Sequence, residues 1–98
     1  MKLSEKQQQF SRMVAALINK ATELGYGLTF GDAYATDGHC ENSFHYKRLA
    51  VDFNLFIDDI YRPDTEAHRE LGIYWKSIGG TWGGDFKRKD GNHYSLGE

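Results

Sequence analysis

Four side chains, His45, Asp52, Asp90 and His93, have the types and the spacing of a metal-dependent hydrolytic site. Two imidazoles and one carboxylate can hold a catalytic zinc ion and leave one coordination position open for water. Asp90 comes three residues before His93, across a short Asp-Gly-Asn turn, so its carboxylate can accept a proton in the same space. The residues are therefore candidates for a zinc centre with an acidic proton acceptor.

Spacing alone leaves a simpler interpretation open. A histidine and an aspartate seven positions apart occur often by chance, and such side chains are more commonly solvated or hydrogen-bonded than bound to metal. The sequence contains no His-Glu-x-x-His, which excludes the helical arrangement of many zinc peptidases. Cys40 is the only cysteine, so the chain can form neither an internal disulfide nor a cysteine-rich structural zinc site.

Length and composition predict a single domain that spans residues 1–98. A chain of 98 residues with 40% hydrophobic and 14% aromatic content can bury one modest core. The formal charge is −2, from 12 basic and 14 acidic side chains, and the short basic run 87–89 is typical of a solvated loop. We therefore expect no nucleic-acid partner, because phosphate binding usually needs a broader cationic face.

The sequence predicts synthesis in the cytoplasm. Residues 1–9 place no apolar run behind their charges, so they do not have the pattern of a secretory signal. No stretch approaches the ~20 apolar residues that a membrane helix requires, and we expect no membrane insertion.

Hydrophobic periodicity predicts two helices. The first begins with a capping box at Ser4 and Gln7, carries an apolar stripe from Phe10 to Leu24 and ends at Gly25. The second is capped by Thr65 and ends at the glycine pair 79–80. Each stripe is expected to face the core, because a small protein rarely leaves such a stripe for a partner.

Strands are predicted at 26–34, 48–57 and 93–96, and residues 35–42 have the composition of a loop. In the second strand, Leu49, Val51, Phe53 and Leu55 face one way and Asp52 faces the other. The order of elements predicts a small α+β fold, with a mostly antiparallel sheet and at least two helices packed on one face. The opposite face would then carry Asp52 and, in register on a neighbouring strand, His93.

The motifs that contain the candidate site residues resemble those of the LAS group of zinc peptidases, which includes D-alanyl-D-alanine carboxypeptidases and phage L-alanyl-D-glutamate endolysins. The likeness covers residues 26–96 and is greatest for very short phage-encoded members. It is carried by the runs 48–56, 74–75 and 82–84 and by two motifs, Ser43-x-His45-x-x-x-x-Ala50-x-Asp52 and Asp90-x-x-His93. The resemblance implies a hedgehog/DD-peptidase-like fold, one zinc ion bound by His45, Asp52 and His93, and Asp90 as the general base.

Two departures from the family pattern concern the surroundings of the site. Many relatives carry glycine where this chain has Arg48, which suggests a somewhat different turn before the strand. Many also carry an arginine just after the first strand, whereas this chain has Ala35 there. His39, Lys47 or Arg48 could replace that cation, and the sequence does not assign which one.

Other residues are weaker candidates for a role in the site. Ser43 is expected to hydrogen-bond to a group that holds the metal, since it lacks a base that would make it a nucleophile. His39 could contact substrate or face solvent, and Trp82 and Phe86 could line the cleft or lie in the core. His68, in the predicted second helix, is expected to have a surface or packing role rather than to bind metal.

The resemblance implies a zinc-dependent peptidoglycan peptidase that cleaves the stem peptide, as a phage endolysin of L-alanyl-D-glutamate or similar specificity. A D-alanyl-D-alanine carboxypeptidase and a non-catalytic cell-wall binding module with a retained metal are the alternatives. An endolysin without a signal peptide would depend on a separate membrane-permeabilising protein, a holin, for release to the cell wall. The protein is expected to be a monomer.

Overall fold

The computed structural model describes residues 1–32 and 47–97 and shows the expected α+β fold. Within those ranges the chain forms two α-helices, five strands and one 3-10 helix. In chain order they are α1 (Leu3–Glu23), β1 (Tyr26–Phe30), β2 (Ala50–Ile57), β3 (Ile60–Tyr61), α2 (Arg69–Ser77), β4 (Thr81–Trp82), the 3-10 helix (Gly83–Asp85) and β5 (His93–Ser95). The predicted loop at 35–42 lies outside the described residues.

The sheet has the order β1-β2-β5-β4, and β3 pairs with β2 beside this path. All of these pairs are antiparallel. Strand β2 therefore lies inside the sheet, between β1 and β5. Its position makes β2 the strand that the rest of the fold is built around.

Helix α1 follows the predicted apolar stripe, with Phe10, Met13, Leu17 and Ala21 buried. It ends at Glu23 with Leu24 as its C-cap, and the predicted glycine stop follows at Gly25, whose φ of +78° glycine accepts without strain. The predicted capping box is wrong, because the N-cap is Lys2 and makes no side-chain capping hydrogen bond. Since Leu3 is already helical, Ser4 lies inside the first turn rather than before it.

Helix α2 begins later than predicted, at Arg69 with His68 as its N-cap, and Thr65 does not cap it. The preceding segment, 65–68, forms turns instead. Here Asp64 accepts a hydrogen bond at Oδ2 from the backbone N–H of Ala67, at 3.0 Å. Asp64 therefore caps the turn before α2, while the N-cap of α2 itself makes no side-chain capping hydrogen bond.

Strand β1 is shorter than the predicted strand at 26–34 because its ladder with β2 ends in a bulge. The last regular pair is Phe30 with Phe53. Beyond it, the Gly31 N–H donates to the Asp52 carbonyl at 2.7 Å, and the Asp52 N–H donates to the Asp32 carbonyl at 2.6 Å. Two residues of one strand thus oppose a single residue of the other, which is the definition of a β-bulge.

The two-residue strands β3 and β4 were not predicted. So short a strand shows no hydrophobic alternation, and its assignment depends on its partner. Strand β3 returns along β2 through a tight turn in which Asp58 and Asp59 both have positive φ, 53° and 62°. Aspartate tolerates this conformation better than most residues.

The hydrophobic core lies between the helices and one face of the sheet. On β2 and just before it, Leu49, Val51, Phe53 and Leu55 are buried, as the alternation predicts. Aromatic rings join the layers: Phe10 of α1 meets Trp75 of α2 edge-on with ring centroids 5.8 Å apart, and Trp75 meets Tyr94 of β5 at 5.9 Å. Across the described ranges, no helix combines the length and apolar character that a membrane crossing needs.

Candidate metal centre

Asp52 and His93 lie directly opposite each other on the antiparallel strands β2 and β5. This confirms the expected register, and it brings His93 Nδ1 to 3.3 Å from Asp52 Oδ1. Directly opposed residues on neighbouring strands point to the same face of the sheet. The pair therefore follows from the sheet itself and does not depend on a flexible loop.

Local packing keeps the Asp52 carboxylate accessible on its own face. Its neighbours at two-residue spacing are Ala50, which is small and buried, and Asn54. Asn54 donates a hydrogen bond to Thr29 Oγ1 at 3.2 Å, which holds its amide towards β1. The Asp52 side chain is 19% exposed and that of His93 is 6% exposed, so the pair is largely shielded but open on one side.

Asp90 is held beside this pair by its own backbone. Its carbonyl accepts a hydrogen bond from the His93 N–H at 3.1 Å, which closes the Asp-Gly-Asn turn, and its N–H donates to the Gly83 carbonyl at 2.9 Å. Asp52, Asp90 and His93 each offer a ligand atom, and these atoms all lie within 4.8 Å of one another. The structure thus brings together three of the four residues singled out in the sequence.

Gly83 and Trp82 support the turn that carries Asp90 and His93. A Cβ at Gly83 would overlap the Asp90 carbonyl oxygen and approach His93 Cβ to 2.8 Å, so a side chain has no room there. The Trp82 indole donates a hydrogen bond from Nε1 to the Gly91 carbonyl at 2.7 Å. The Trp82 side chain is fully buried, so it contacts the site only through this turn among the residues that the structure describes.

Phe86 is the aromatic residue that lies against the site. Its half-buried ring has its centroid 5.4 Å from that of the His93 ring. Of the two aromatic residues proposed for the cleft, Phe86 is half-buried against the site and Trp82 lies in the core. The sequence could not separate them, because both lie in or beside the same glycine-rich segment, 79–84.

The bulge at Gly31 and Asp32 also acts on the site, because it lies opposite Asp52. Its two short hydrogen bonds hold the Asp52 backbone on both its N–H and its carbonyl. A Cβ at Gly31 would stand 3.0 Å from the Asp52 carbonyl oxygen, so glycine permits the close approach. The sequence did not reveal this contact, although a glycine inside a strand pattern is a recognised signal of a bulge.

His68 is a core residue, and its expected packing role is confirmed. The side chain is fully buried, and Nδ1 is hydrogen-bonded to the Tyr94 hydroxyl at 2.8 Å. Burial lowers the pKa of His68 to about 4, which Asp64 and the Arg62 backbone only partly offset. Burial also raises the pKa of Tyr94, so both groups are neutral near pH 7.

The described donors fit a zinc ion in chemistry and in spacing. Imidazole nitrogen and carboxylate oxygen are ligands that zinc prefers, and two atoms bound to one tetrahedral zinc stand about 3.4 Å apart. The observed separation of His93 Nδ1 and Asp52 Oδ1 is 3.3 Å. These two residues are therefore already spaced as ligands of one ion.

The remaining predictions at the site concern residues 33–46, which lie outside the described ranges. They are the third ligand His45, the neighbouring Ser43 and His39, and the Ala35 position that lacks an arginine. Just beyond this segment, Arg48 has a φ of +57°. This left-handed conformation is one that glycine favours, so the family glycine and this arginine are compatible with the same backbone turn.

Comparison with known proteins agrees with this geometry. Residues 36–96, more than half of the chain, match the family model described as D-alanyl-D-alanine carboxypeptidase. The L-Ala D-Glu endopeptidase ChiX of Serratia marcescens has a similar structure, with a TM-score of 0.74 at 13% identity, over 99% of this chain and 87% of that one. At this identity the likeness establishes the fold alone.

No curated protein matches the chain. The family match spans the strand that carries Asp52 and the turn that carries Asp90 and His93, so it covers the candidate metal centre as well as the fold. The chain belongs to the D-alanyl-D-alanine carboxypeptidase family, within the LAS type, and is a peptidoglycan peptidase.

Proposed function

We propose that this protein is a zinc-dependent endopeptidase that cuts a peptide bond in the stem of bacterial peptidoglycan. The observation that carries the proposal is the Asp52 and His93 pair, 3.3 Å apart, with Asp90 beside it. A closed structural zinc site usually has four protein ligands. A site of three ligands with a separate carboxylate is better suited to hydrolysis than to a purely structural role.

Each residue has a defined part in the proposed reaction. Asp52 and His93 would hold zinc together with His45, which is the predicted third ligand. When bound, zinc would lower the pKa of a coordinated water to about 7 and polarise a substrate carbonyl. Asp90, exposed at the edge of the site, would take the proton from the attacking water and return it to the leaving amine. The Gly83 carbonyl keeps the Asp90 backbone in place for both transfers.

The proposed specificity is that of an L-alanyl-D-glutamate or similar endopeptidase. A carboxypeptidase must recognise a terminal carboxylate, for which a fixed cation is the usual partner. The segment Tyr34-Ala35-Thr36 offers no such cation. The structurally similar Serratia protein is an endopeptidase, whereas the matching family is described as a carboxypeptidase, so carboxypeptidase activity is the second candidate.

The biological setting belongs to the same proposal. A single domain over residues 1–98, a monomer and a phage endolysin released by a separate holin agree with the resemblance to very short phage-encoded relatives. Size-exclusion chromatography with light scattering would test the monomer. Lysis of cells that express the protein with and without a holin would test the route to the wall.

Single substitutions can distinguish residues that bind the metal from the residue that acts as the general base. His93→Ala should lose zinc, whereas Asp90→Ala should keep zinc and lose hydrolysis, with elemental analysis as the measure of metal. Asp85→Ala is a matched control, because its exposed carboxylate pairs with Lys76 at 2.8 Å, outside the proposed donor set. Stoichiometric zinc in His93→Ala would remove that residue from the ligand set. Lysis that survives complete metal removal would refute zinc-dependent catalysis.

Mass spectrometry of digested muropeptides identifies the bond. New fragments with a free L-alanine carboxyl group would support the endopeptidase, and loss of terminal D-alanine would support the carboxypeptidase. A protein that binds purified peptidoglycan but releases no new amino groups would be a non-catalytic cell-wall module.

A further inference from the structure

The sheet face that carries Asp52 and His93 continues along β2 to an aromatic pair, the half-buried Phe56 and the exposed Tyr61. Residues two apart on a strand share a face, so Asp52, Asn54 and Phe56 all point away from the helices. Tyr61 of β3 lies directly opposite Phe56. Their ring centroids are 5.6 Å apart at an interplanar angle of 45°. We call this pair the aromatic shelf.

The shelf is open to solvent. Tyr61 is 52% exposed, and Phe56 is half-buried. On the other side of Phe56, the opposite residue of β1 is Gly27, which has no side chain to cover the ring. A large aromatic side chain left in water forgoes the stabilisation that burial would give it, so a partly exposed aromatic pair on the same sheet face as a reactive centre is suited to bind a ligand.

Between the shelf and the metal centre, the same face is polar. Asn54 and Thr29, paired by a hydrogen bond of 3.2 Å, occupy this stretch. The face therefore presents three zones in line: the candidate metal centre, an amide and a hydroxyl, and an aromatic surface. An extended polymer with a polar backbone and a flat apolar element would match this order.

We propose that the aromatic shelf binds a sugar ring of the glycan strand, while the attached stem peptide crosses Asn54 and Thr29 to place its scissile bond at Asp52 and His93. The inference rests on the proposed endopeptidase function and deepens it. It assigns this sheet face as the substrate surface. Contact with the sugar would make the enzyme bind glycan-linked peptide more tightly than free peptide.

The chemistry of the polymer favours a sugar as the occupant. Stem peptides are built from small or charged residues, which offer little apolar surface to an aromatic pair. A pyranose ring has a flat C–H face with hydroxyl groups around its rim, which suits an aromatic ring with a polar tip such as Tyr61. Asp58 and Asp59, exposed at the adjoining turn, would also repel an anionic occupant, whereas an N-acetylated sugar ring is neutral.

The distance along the sheet agrees with cleavage close to the glycan. Phe56 is four positions after Asp52 on β2, a span of about 13 Å. In L-alanyl-D-glutamate cleavage, one alanine and the lactyl group separate the cut carbonyl from the sugar, so the first ring begins about 7 Å away and a disaccharide reaches the shelf. In D-alanyl-D-alanine cleavage the first ring would begin about 17 Å away, beyond the shelf.

The test compares Tyr61→Ala with Ile60→Ala. Ile60 is the neighbouring residue of β3, is 62% exposed and points to the opposite face, so it is a matched control. The substrates are a disaccharide-linked stem peptide and the same peptide without sugar. In Tyr61→Ala the ratio of kcat/KM for the two substrates should fall about fivefold, mainly through KM on the sugar-linked one. Ile60→Ala should keep the wild-type ratio, and Tyr61→Phe should restore most of it.

An unchanged ratio in Tyr61→Ala, or an equal fall in Ile60→Ala, would overturn the proposal. If the wild-type protein cuts neither substrate, the proposed function fails, and binding of the disaccharide-linked peptide is measured by calorimetry instead. Weaker binding by Tyr61→Ala alone would then still support the shelf as a sugar site. Equal binding by the wild type and both alanine variants would remove it.

Discussion

Replacing His68 with asparagine should remove much of the loss of stability that the protein suffers in mild acid. The His68 ring is fully buried with no exposed surface. Nδ1 is bonded to the Tyr94 hydroxyl, and Nε2 has no hydrogen-bond partner among the described residues. An added proton would place a charge in the core next to a neutral phenol. Asparagine keeps a polar atom near the position of Nδ1 and cannot be protonated in this range.

The sign and the size of this pH effect on the free energy of unfolding follow from the pKa of His68, which burial lowers from 6.5 to about 4. Between these values the unfolded chain binds a proton that the folded protein excludes, so the free energy of unfolding rises with pH. The stabilisation is therefore complete above pH 6.5 and is lost as the pH falls towards 4. Linkage gives a loss of about 2 kcal/mol between pH 8 and pH 5, and about 3 kcal/mol by pH 4.

Two paired carboxylates, Asp64 and Glu66, change the free energy of unfolding mainly at lower pH. Arg62 lowers the pKa of Asp64, and Arg69 lowers that of Glu66, so their contributions fade as the pH falls below the ordinary values of 3.8 and 4.5. These two carboxylates consequently contribute little between pH 8 and pH 5, where the shifted pKa of His68 acts. Measuring both proteins with a chelator present removes the pH dependence of metal binding from the comparison.

Urea unfolding at a series of pH values measures the effect. His68→Asn should be less stable than the wild type at pH 8, because its smaller side chain leaves a cavity. The difference between the two proteins should then narrow by about 2 kcal/mol at pH 5. In thermal unfolding this corresponds to roughly 8–16 °C for a domain of this size. Parallel stability curves from pH 8 to pH 5 would refute the assignment of His68 as a buried neutral histidine.

Three further substitutions test the backbone that surrounds the site. Gly83→Ala places a methyl group against the Asp90 carbonyl and should lower hydrolysis about 100-fold while circular dichroism stays unchanged; wild-type activity would contradict the tight contact. Gly72→Ala, which helix propensity would favour, should instead destabilise the protein by about 1–3 kcal/mol in urea, because its Cβ meets the Trp82 ring. At Arg48, with φ +57°, the glycine variant should be about 1 kcal/mol more stable than the alanine variant, and equal stability would argue against a left-handed conformation there.

The elements predicted most accurately were those with long hydrophobic periods. The stripe of α1 and the alternation of β2 each repeat several times, so their buried faces could be assigned before any contact was known. The placement of Asp52 opposite His93 followed from the same alternation. Helix starts were less predictable, because several nearby polar side chains can cap a turn. Thr65 was expected to cap α2, whereas the helix begins at Arg69 and Asp64 caps the turn before it.

The support of the site was harder to predict than its reactive groups. Histidine and aspartate are recognisable by their chemistry, whereas Gly83 and Gly31 act by having no side chain where two backbone segments meet. Such contacts join residues distant in sequence and become visible only when the strands are paired. Trp82 shows the same limit. Its indole donates to the Gly91 carbonyl from the core, and nothing in the local sequence distinguishes that buried position from the half-buried position of Phe86.

Strand β2 explains why a chain of 98 residues can hold both a core and a reactive surface. Its odd-numbered residues pack under the helices, and its even-numbered residues carry the candidate ligand and the proposed substrate surface. A slip of one residue would exchange the two faces, placing Phe53 in solvent and Asp52 in the core. The bulge opposite Asp52 lies in the segment that follows β1, at Gly31 and Asp32, so β2 keeps its period of two from Ala50 to Ile57. Substitutions at odd positions should therefore affect stability first, and those at even positions activity first.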